Sequence, residues 1–447
     1  MGSRRPVGLG GWPQLAGQRS RPVGRAGTGG EPRGGLMKRL LLISYVFPPA
    51  AGGGVQRPLK FAKYLGRFGW QSLVLTARRP SAPAWDPELL QELGPAVEVH
   101  RLLNLEPGAG GDGGPGGAAA GGWKRRLALL LLPDRHLLWL PTALPQALVA
   151  AAGSRASAVM VSAPPFSSFL LGWALSRLKG LPLVLDFRDE WSGFYAQGFD
   201  PRRAGGWRLR LIQGLERRLV QAAAAVLTAS LGASRRLHGL YGGPADKYVW
   251  IPNGYDPQDF RGPAPPVEDD RLRLVYVGTL FGVTSLRHLW AGLALLRPEQ
   301  RARLRVKVVG RVAGGEVSDP GLPGLQVQVT GYQNHLRAVA EMRRAGALLL
   351  TLEDLPGSPR VIPAKLFEYL AARRPILCLT PRGEASAIVE ACGAGAVVPP
   401  GQPQELARLL ERWLEAPPPP AQAPPELFSR LNLTHRLAQV LDRVAGG

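Results

Sequence analysis

Cysteine is almost absent: the 447 residues contain two, Cys378 and Cys392, too few for a disulfide framework. Both fall in apolar patterns, so a reducing compartment is the default and the cytoplasm is the expected location. Long apolar runs are also missing. None reaches the roughly 18 residues that mark a spanning helix, which argues against a transmembrane segment. The sequence has no long Lys/Arg block, zinc-ligand spacing or aromatic-and-basic motif, the features that would point to nucleic acid. Acidic residues are outnumbered, leaving a formal charge of +22. That balance suits nucleotide phosphates or an acidic membrane surface.

What is present is the composition of a folded protein, 45% apolar and 20% charged. The length exceeds one ordinary core, so two domains are expected. Residues 1–36 carry six arginines, one acid and many Gly and Pro. They are expected to be a disordered extension, or translated sequence upstream of a start at Met37. From there apolar runs alternate with helical patterns, as in a parallel sheet. Met37–Tyr45 is a continuous apolar strand with a basic start, followed by the Gly-rich loop Phe47–Gly54 and a helix Val55–Phe68. Gly53 and Gly54 either let a ligand approach the backbone or belong to a plain surface loop. Strands follow at Trp70–Thr76, Val97–Leu102 and Ala158–Ser162, and residues 106–122 are a Gly/Ala-rich insertion without expected order. In Trp123–Pro141, Lys124, Arg125 and Arg126 adjoin a leucine block with Trp at both ends. This reads either as a segment lying on an anionic membrane or as a buried helix with a snorkelling basic end. The strand from Leu183 ends in Asp186, Arg188, Asp189 and Trp191, at the end that faces the ligand crevice in open α/β sheets.

A Pro-rich linker, 261–271, separates this first domain (37–260) from a second α/β unit (272–416), and a Pro-rich spacer with a final helix fills 417–447. The second unit opens with a strand running into Gly278 and Thr279. Its most informative stretch is Val361–Leu379: a helix opening near Pro363, a turn at Arg373 and Arg374, and a buried strand. Lys365 falls in the first helical turn, where the helix dipole disfavours a cation unless an anion docks there too. Glu368 lies one turn on, where it could accept bonds from sugar hydroxyls. Alone, the pair could equally be a solvated Lys–Glu pair on an amphipathic helix. Two α/β halves would enclose a cleft between them, however, and ligand sites favour such clefts.

Six motifs in order resemble family 4 glycosyltransferases. They are Ser44–Pro49 with Gly52–Pro58, Asp186–Asp189 with Trp191, Ile251–Gly254, Tyr276–Thr279, Lys365–Ala371 and Pro375–Leu377. The resemblance is to the subgroup that builds bacterial surface polysaccharides. It implies an α/β GT-B fold, two Rossmann-like domains with parallel sheets facing a central cleft. It also implies a retaining hexosyltransferase that moves sugar from a nucleotide-diphosphate sugar to a lipid-linked or cell-surface glycan, at the inner face of a membrane. No separate cofactor or metal is implied, and the sequence has no DxD pair. Carried over by position, Lys365 meets the diphosphate and Glu368 the ribose, with Asp186 as a third catalytic candidate. Gly278, Thr279, Arg311, Gly331, Tyr332, Arg360 and Leu366 complete the donor side, and Gly53, Gly54, Arg57, Arg188 and Asp189 the acceptor side. The family's first glutamate falls on Arg360; Glu353 or Asp354 could replace it. The family's usual basic pair after the Val-Gly turn is Thr279 and Leu280, so Arg287, Arg311 or Arg360 would carry that charge. Two other readings share the fold: a nucleotide-sugar epimerase and a non-catalytic nucleotide-sugar-binding relative.

Overall fold

The computed structural model describes residues 37–82, 84–104, 132–193, 206–263, 265–266, 271–313, 315–316 and 319–446. The expectations for residues 1–36 and for the insertion 106–122 lie outside them.

The first half builds a seven-stranded sheet in the order β5–β3–β1–β6–β7–β8–β9. Its strands are β1 (Lys38–Ser44), β3 (Trp70–Ala77), β5 (Val97–Leu102), β6 (Ala158–Ala163), β7 (Leu183–Phe187), β8 (Ala225–Thr228) and β9 (Tyr248–Trp250). Two two-residue strands, β2 (Ala50–Ala51) and β4 (Ala84–Trp85), pair antiparallel beside it. The six ladders are parallel: Leu41 is opposite Leu73 on one side and Val159 on the other. Leu40, Leu41, Leu42 and Ile43 are all fully buried, as the unbroken apolar run requires of a central parallel strand covered on both faces. Helices α1 (Gln56–Leu65), α2 (Leu140–Ala152), α3 (Ser167–Lys179), α4 (Gly206–Ala222) and α5 (Leu231–Tyr241) make the crossovers. The helix expected to run to Phe68 stops at Leu65. A 3-10 turn, Gly66–Phe68, and left-handed Gly69 (φ +79°) then bend the chain into β3.

The second half repeats the plan with six strands in the order β12–β11–β10–β13–β14–β15. They are β10 (Leu272–Val277), β11 (Leu304–Val309), β12 (Gln326–Val329), β13 (Ala347–Thr351), β14 (Ile376–Leu379) and β15 (Gly395–Val397), all parallel. Helices α6 (Arg287–Ala294), α7 (Pro298–Ala302), α8 (His335–Arg344), α9 (Lys365–Ala372), α10 (Glu384–Ala391) and α11 (Pro403–Glu415) connect them. In both sheets the strand order reverses beside the first strand, between β1 and β6 and between β10 and β13. These switch points open crevices at the carboxyl ends of the strands.

The final helix, α12 (Arg430–Ala445), returns to the first sheet. Leu433, Leu437 and Leu441 share a core with Leu59, Ala62 and Leu65 of α1. Trp70 Nε1 donates to Asp442 Oδ1 at 3.1 Å, and Arg436 Nη2 to the Trp250 carbonyl at 2.9 Å. The chain therefore passes between the domains twice, and the two passages run side by side. Tyr255 N–H donates to the Phe428 carbonyl (3.1 Å), and Arg430 N–H to the Tyr255 carbonyl (2.8 Å).

Side chains also bridge the halves. Glu384 accepts from the N–H groups of Leu231 and Gly232, at 2.9 and 2.6 Å, capping α5 of the other domain. A Cβ at Gly232 would come within 2.5 Å of Glu384 Oε1 and 2.8 Å of Arg360 Cγ, so the seam needs glycine there. The described residues contain no helix long and apolar enough to cross a membrane.

Deleting residues 417–447 strips the apolar cover from α1. The expected outcome is aggregation on size-exclusion chromatography, whereas a soluble monomer with native near-UV dichroism would contradict this account of the core.

Candidate functional site

The donor-side wall is built from the ends of three adjacent strands. Gly278 (φ +124°) follows β10, Gly310 (φ +149°) follows β11 and Gly331 (φ +69°) lies just beyond β12. Gly310 is also required sterically, since a Cβ there would sit 2.0 Å from the Gly278 carbonyl. A bridge between Gly310 and Gly331 ties the rim together. Tyr276 Oη (2.8 Å) and Thr284 Oγ1 (3.1 Å) donate to the Thr279 carbonyl and hold the Gly278-Thr279 turn. Arg311 continues this rim, its carbonyl accepting from Leu280 N–H at 2.8 Å, and Tyr332 stands beside it half exposed.

Helix α9 enters beneath the rim. It begins at Lys365, two residues later than the proline signal suggested, after Ala364, which supplies no side-chain cap. Left-handed Arg373 (φ +55°) ends it. Phe367, Tyr369 and Leu370 face the core, and so does Leu366, fully buried with its N–H on the Pro363 carbonyl (3.0 Å). That leaves Leu366 no free group for a donor. Lys365 Nζ lies 3.7 Å from the Tyr276 ring centroid, and a Cβ on Gly278 would approach it to 2.9 Å. The ammonium has no carboxylate within ion-pair distance among the described residues, and burial pushes it down to about 7. Glu368 likewise has no hydrogen-bonded partner there. Burial raises its carboxyl above the ordinary range, opposed by the nearby charges of His335 and Arg430. One free cation and one free acid thus share a cleft wall.

The opposite wall differs from expectation. Arg57 and Asp186 are fully buried and bonded to each other: Nε to Oδ1 (3.1 Å) and Oδ2 (3.0 Å), and Nη2 to Oδ1 (2.7 Å). Ser162 Oγ adds a bond to Oδ2 at 2.8 Å, and Arg57 Nη1 donates to the Pro252 carbonyl at 2.9 Å. Both side chains therefore work as a structural tie beneath the cleft, out of reach of an acceptor. Arg188 donates to the carbonyls of Gly54 and Pro164, and a Cβ on Gly54 would fall 2.6 Å from its Nη1. At Gly54 the close approach is therefore made by Arg188 rather than by a ligand. Gly53 is exposed, with nothing near its missing Cβ. Asp189 is exposed at the mouth of a 390 Å³ pocket lined by Tyr45, His136, Pro164 and Phe166. The pocket opens at the switch point of the first sheet.

Arg360 spans the cleft. Its Nε and Nη2 meet Glu190 Oε1 and Oε2 at 2.6 and 3.1 Å. Position 360 is thus a strut between the walls. Glu353 is buried against Arg287 and His288, which engages those groups with each other, while Asp354 is exposed. Glu190, Arg430 and His335 were not singled out from the sequence. Glu190 adjoins a selected motif, but the other two carried no local signal. A cluster of three carboxylates, Glu92, Asp256 and Asp259, lies at the hinge, and Lys60 Nζ reaches all three at 2.6, 2.9 and 3.2 Å. A lysine ammonium therefore supplies its countercharge. The Trp123–Pro141 segment is described only from Leu132. Trp139 is fully buried against Tyr45 (ring centroids 5.1 Å), so that tryptophan belongs to the core, while Leu138 beside it is exposed.

Two family models match end to end along the chain: a glycosyl transferase 4-like domain over residues 52–254, and glycosyl transferases group 1 over 271–416. This is a GT-B glycosyltransferase. A comparison with curated proteins found no match. Among solved structures the transferase resembles HepE of Anabaena in complex with UDP and glucose, at 16% identity over 92% of this chain and 98% of that one (TM-score 0.57). Sucrose-phosphate synthase from Thermosynechococcus elongatus matches at 16% identity, 91% and 94% coverage and a TM-score of 0.59. WaaG, a glycosyltransferase involved in lipopolysaccharide biosynthesis, matches at 15%, 91% and 100%, and 0.56. At these identities the likeness concerns the fold.

Replacing Asp186 with Ala leaves the Arg57 charge buried and unpaired. The expected loss of stability is about 3–5 kcal/mol in chemical denaturation; a loss below about 1 kcal/mol would mean that the pair is not a structural tie.

Proposed function

We propose that this glycosyltransferase moves a sugar from a nucleotide-diphosphate donor to a hydroxyl of a lipid-linked or cell-surface glycan, with retention of configuration. The observation that carries the donor half is Lys365, an unpaired amine under a glycine rim and at an uncapped helix start. A diphosphate would supply the missing anion, and its oxygens would reach backbone N–H groups at that helix end. Glu368, three residues on and unbonded, is placed to accept the ribose hydroxyls. Across the cleft, the Asp189 pocket would receive the acceptor. The UDP and glucose in the Anabaena HepE structure make UDP-glucose the first donor to test.

In this reading the bond from the sugar's anomeric carbon to the β-phosphate oxygen breaks. The acceptor oxygen bonds to the same face of that carbon, and its proton passes to the leaving diphosphate. Lys365 stabilises the charge that develops on the diphosphate, and the two walls hold the partners in line. Epimerase chemistry on the same fold would release nucleotide without an acceptor. A non-catalytic relative would bind nucleotide and turn over nothing. Nucleotide release measured with and without acceptor separates the three, and product NMR reads the anomeric configuration.

Lys365→Ala should lower kcat by about 10²–10³, the usual effect of removing one group that stabilises developing charge, and Glu368→Ala, which removes a ribose contact, should chiefly raise the donor KM and lower kcat/KM; near wild-type kinetics in both would defeat the assignment. The amine also gives UDP binding a pH dependence. Free Lys365 loses its proton as pH rises through about 7, whereas the complex holds it charged, so binding takes up a proton above that pH. Calorimetry should show affinity falling by up to about tenfold per pH unit above 7. Lys365→Arg should flatten that slope.

A further inference from the structure

Three neighbouring helices of the first domain present a surface that is both apolar and basic. Helix α3 packs against α2 on one side and α4 on the other. Together the three carry six Arg and Lys and a single acid, Glu216. That acid is fully buried, where it accepts from Ser192 N–H and Tyr241 Oη. Water-facing surfaces ordinarily intersperse both signs, and this one does not.

Helical periodicity sorts the side chains of α4. Ile212, Glu216, Leu219 and Val220 face inward. Trp207, Arg210, Leu211, Gly214, Arg217 and Arg218 fall on the other side at three- and four-residue steps, and all are exposed. Trp207 and Leu211 are each more than half exposed. On α3, Trp173, Arg177, Leu178 and Lys179 are exposed. On α2 the outward stripe is Pro141, Pro145 and Val149, the last 77% exposed. Arg177, Lys179, Arg210, Arg217 and Arg218 make no ion pair among the described residues. Glu98 on the edge strand β5, which lines a groove with Val149, is held by His100 at 2.6 Å.

Single exposed apolar side chains are ordinary, but a contiguous set on three packed helices marks an interaction surface. A second copy of the same face would set unpaired arginines against arginines. An anionic lipid surface offers the complement, because tryptophan sits well at headgroup level and guanidinium groups pair with lipid phosphates. We propose that the outward face of α2, α3 and α4 docks on an anionic lipid bilayer, with Trp207 and Leu211 entering the headgroup layer. This goes beyond the donor reading and uses neither Lys365 nor Glu368. The Asp189 pocket opens beside the same layer, since Asp134 and His136 lead into α2 and Phe166 immediately precedes α3. Docking therefore brings the pocket assigned to the acceptor up to the bilayer.

Cosedimentation of the full chain with vesicles of phosphatidylcholine, alone or mixed with phosphatidylglycerol, tests it at low and high salt. The chain should pellet with the anionic vesicles at low salt and be released at high salt. Arg210→Glu/Arg217→Glu/Arg218→Glu should lower partitioning by about a hundredfold, at roughly fivefold for each basic charge near the surface. Trp207→Ser/Leu211→Ser should lower it by about tenfold. Unchanged thermal midpoints show that these exposed substitutions leave the fold intact; if a variant does not fold, the lipid and salt comparison on the wild type decides. Lys365→Ala should bind vesicles like the wild type, so this inference and the donor reading fail separately. A wild-type chain that stays in the supernatant, or that binds neutral and anionic vesicles alike, overturns the proposal. So does full binding by both α4 variants with loss only in Lys124→Glu/Arg125→Glu/Arg126→Glu, which would assign the contact to that segment. A concentration-dependent dimer abolished by Trp207→Ser/Leu211→Ser would give the face to a second copy and overturn it too.

Discussion

The tie between Arg57 and Asp186 is the interaction on which the rest of the cleft depends. It joins α1, the end of β7, Ser162 of β6 and the carbonyl of Pro252, where the chain leaves the first domain. Four chain segments far apart in sequence thereby share one bonded cluster under the crevice. Removing both charges from water is costly, and only near-complete bonding of the kind seen here offsets it. With the floor fixed, Arg188 can reach over Gly54 and Pro164, and Asp189 and Glu190 project from a defined strand end. An ion pair that touches no substrate thus sets where the substrate-facing groups stand.

The cleft sorts its charges in a consistent way. Charged groups on the first domain and the hinge are engaged, Arg57 with Asp186 and Lys60 with three carboxylates, and Glu190 is engaged across the cleft with Arg360. Groups on α9 are left open. Lys365 rests on the face of Tyr276 and Glu368 has no bonded partner, so the pair is prearranged at the cost of keeping both desolvated. Such an arrangement suits a ligand that brings its own anion and hydroxyls. The strut from Arg360 to Glu190 closes one side of the space and fixes how far apart the two walls stand.

The fold was legible because its signals are local and strong. Continuous apolar runs gave β1, β7 and β14, Gly and Pro punctuation gave the loops, and alternation gave the parallel order. The motif around Lys365 and Glu368 was legible for the same reason, since both residues lie on one helix. Partnerships across long separations were not. Asp186 at a strand's carboxyl end suggested chemistry, but pairing with Arg57 depends on two segments 129 positions apart. Arg360 looked like a lost glutamate until Glu190, 170 positions away, gave it a role. Leu366 was assigned to the donor by its place in a motif, while helical periodicity sends its side chain into the core.

The return of α12 to the first sheet also constrains the order of events during synthesis. Domains generally fold as they emerge, the N-terminal one first. Here the apolar face of α1 waits for Leu433, Leu437 and Leu441, which are translated only after the whole second domain. The first domain therefore leaves the ribosome with part of its core uncovered. Its completion is coupled to that of its neighbour, so the two halves mature as a unit.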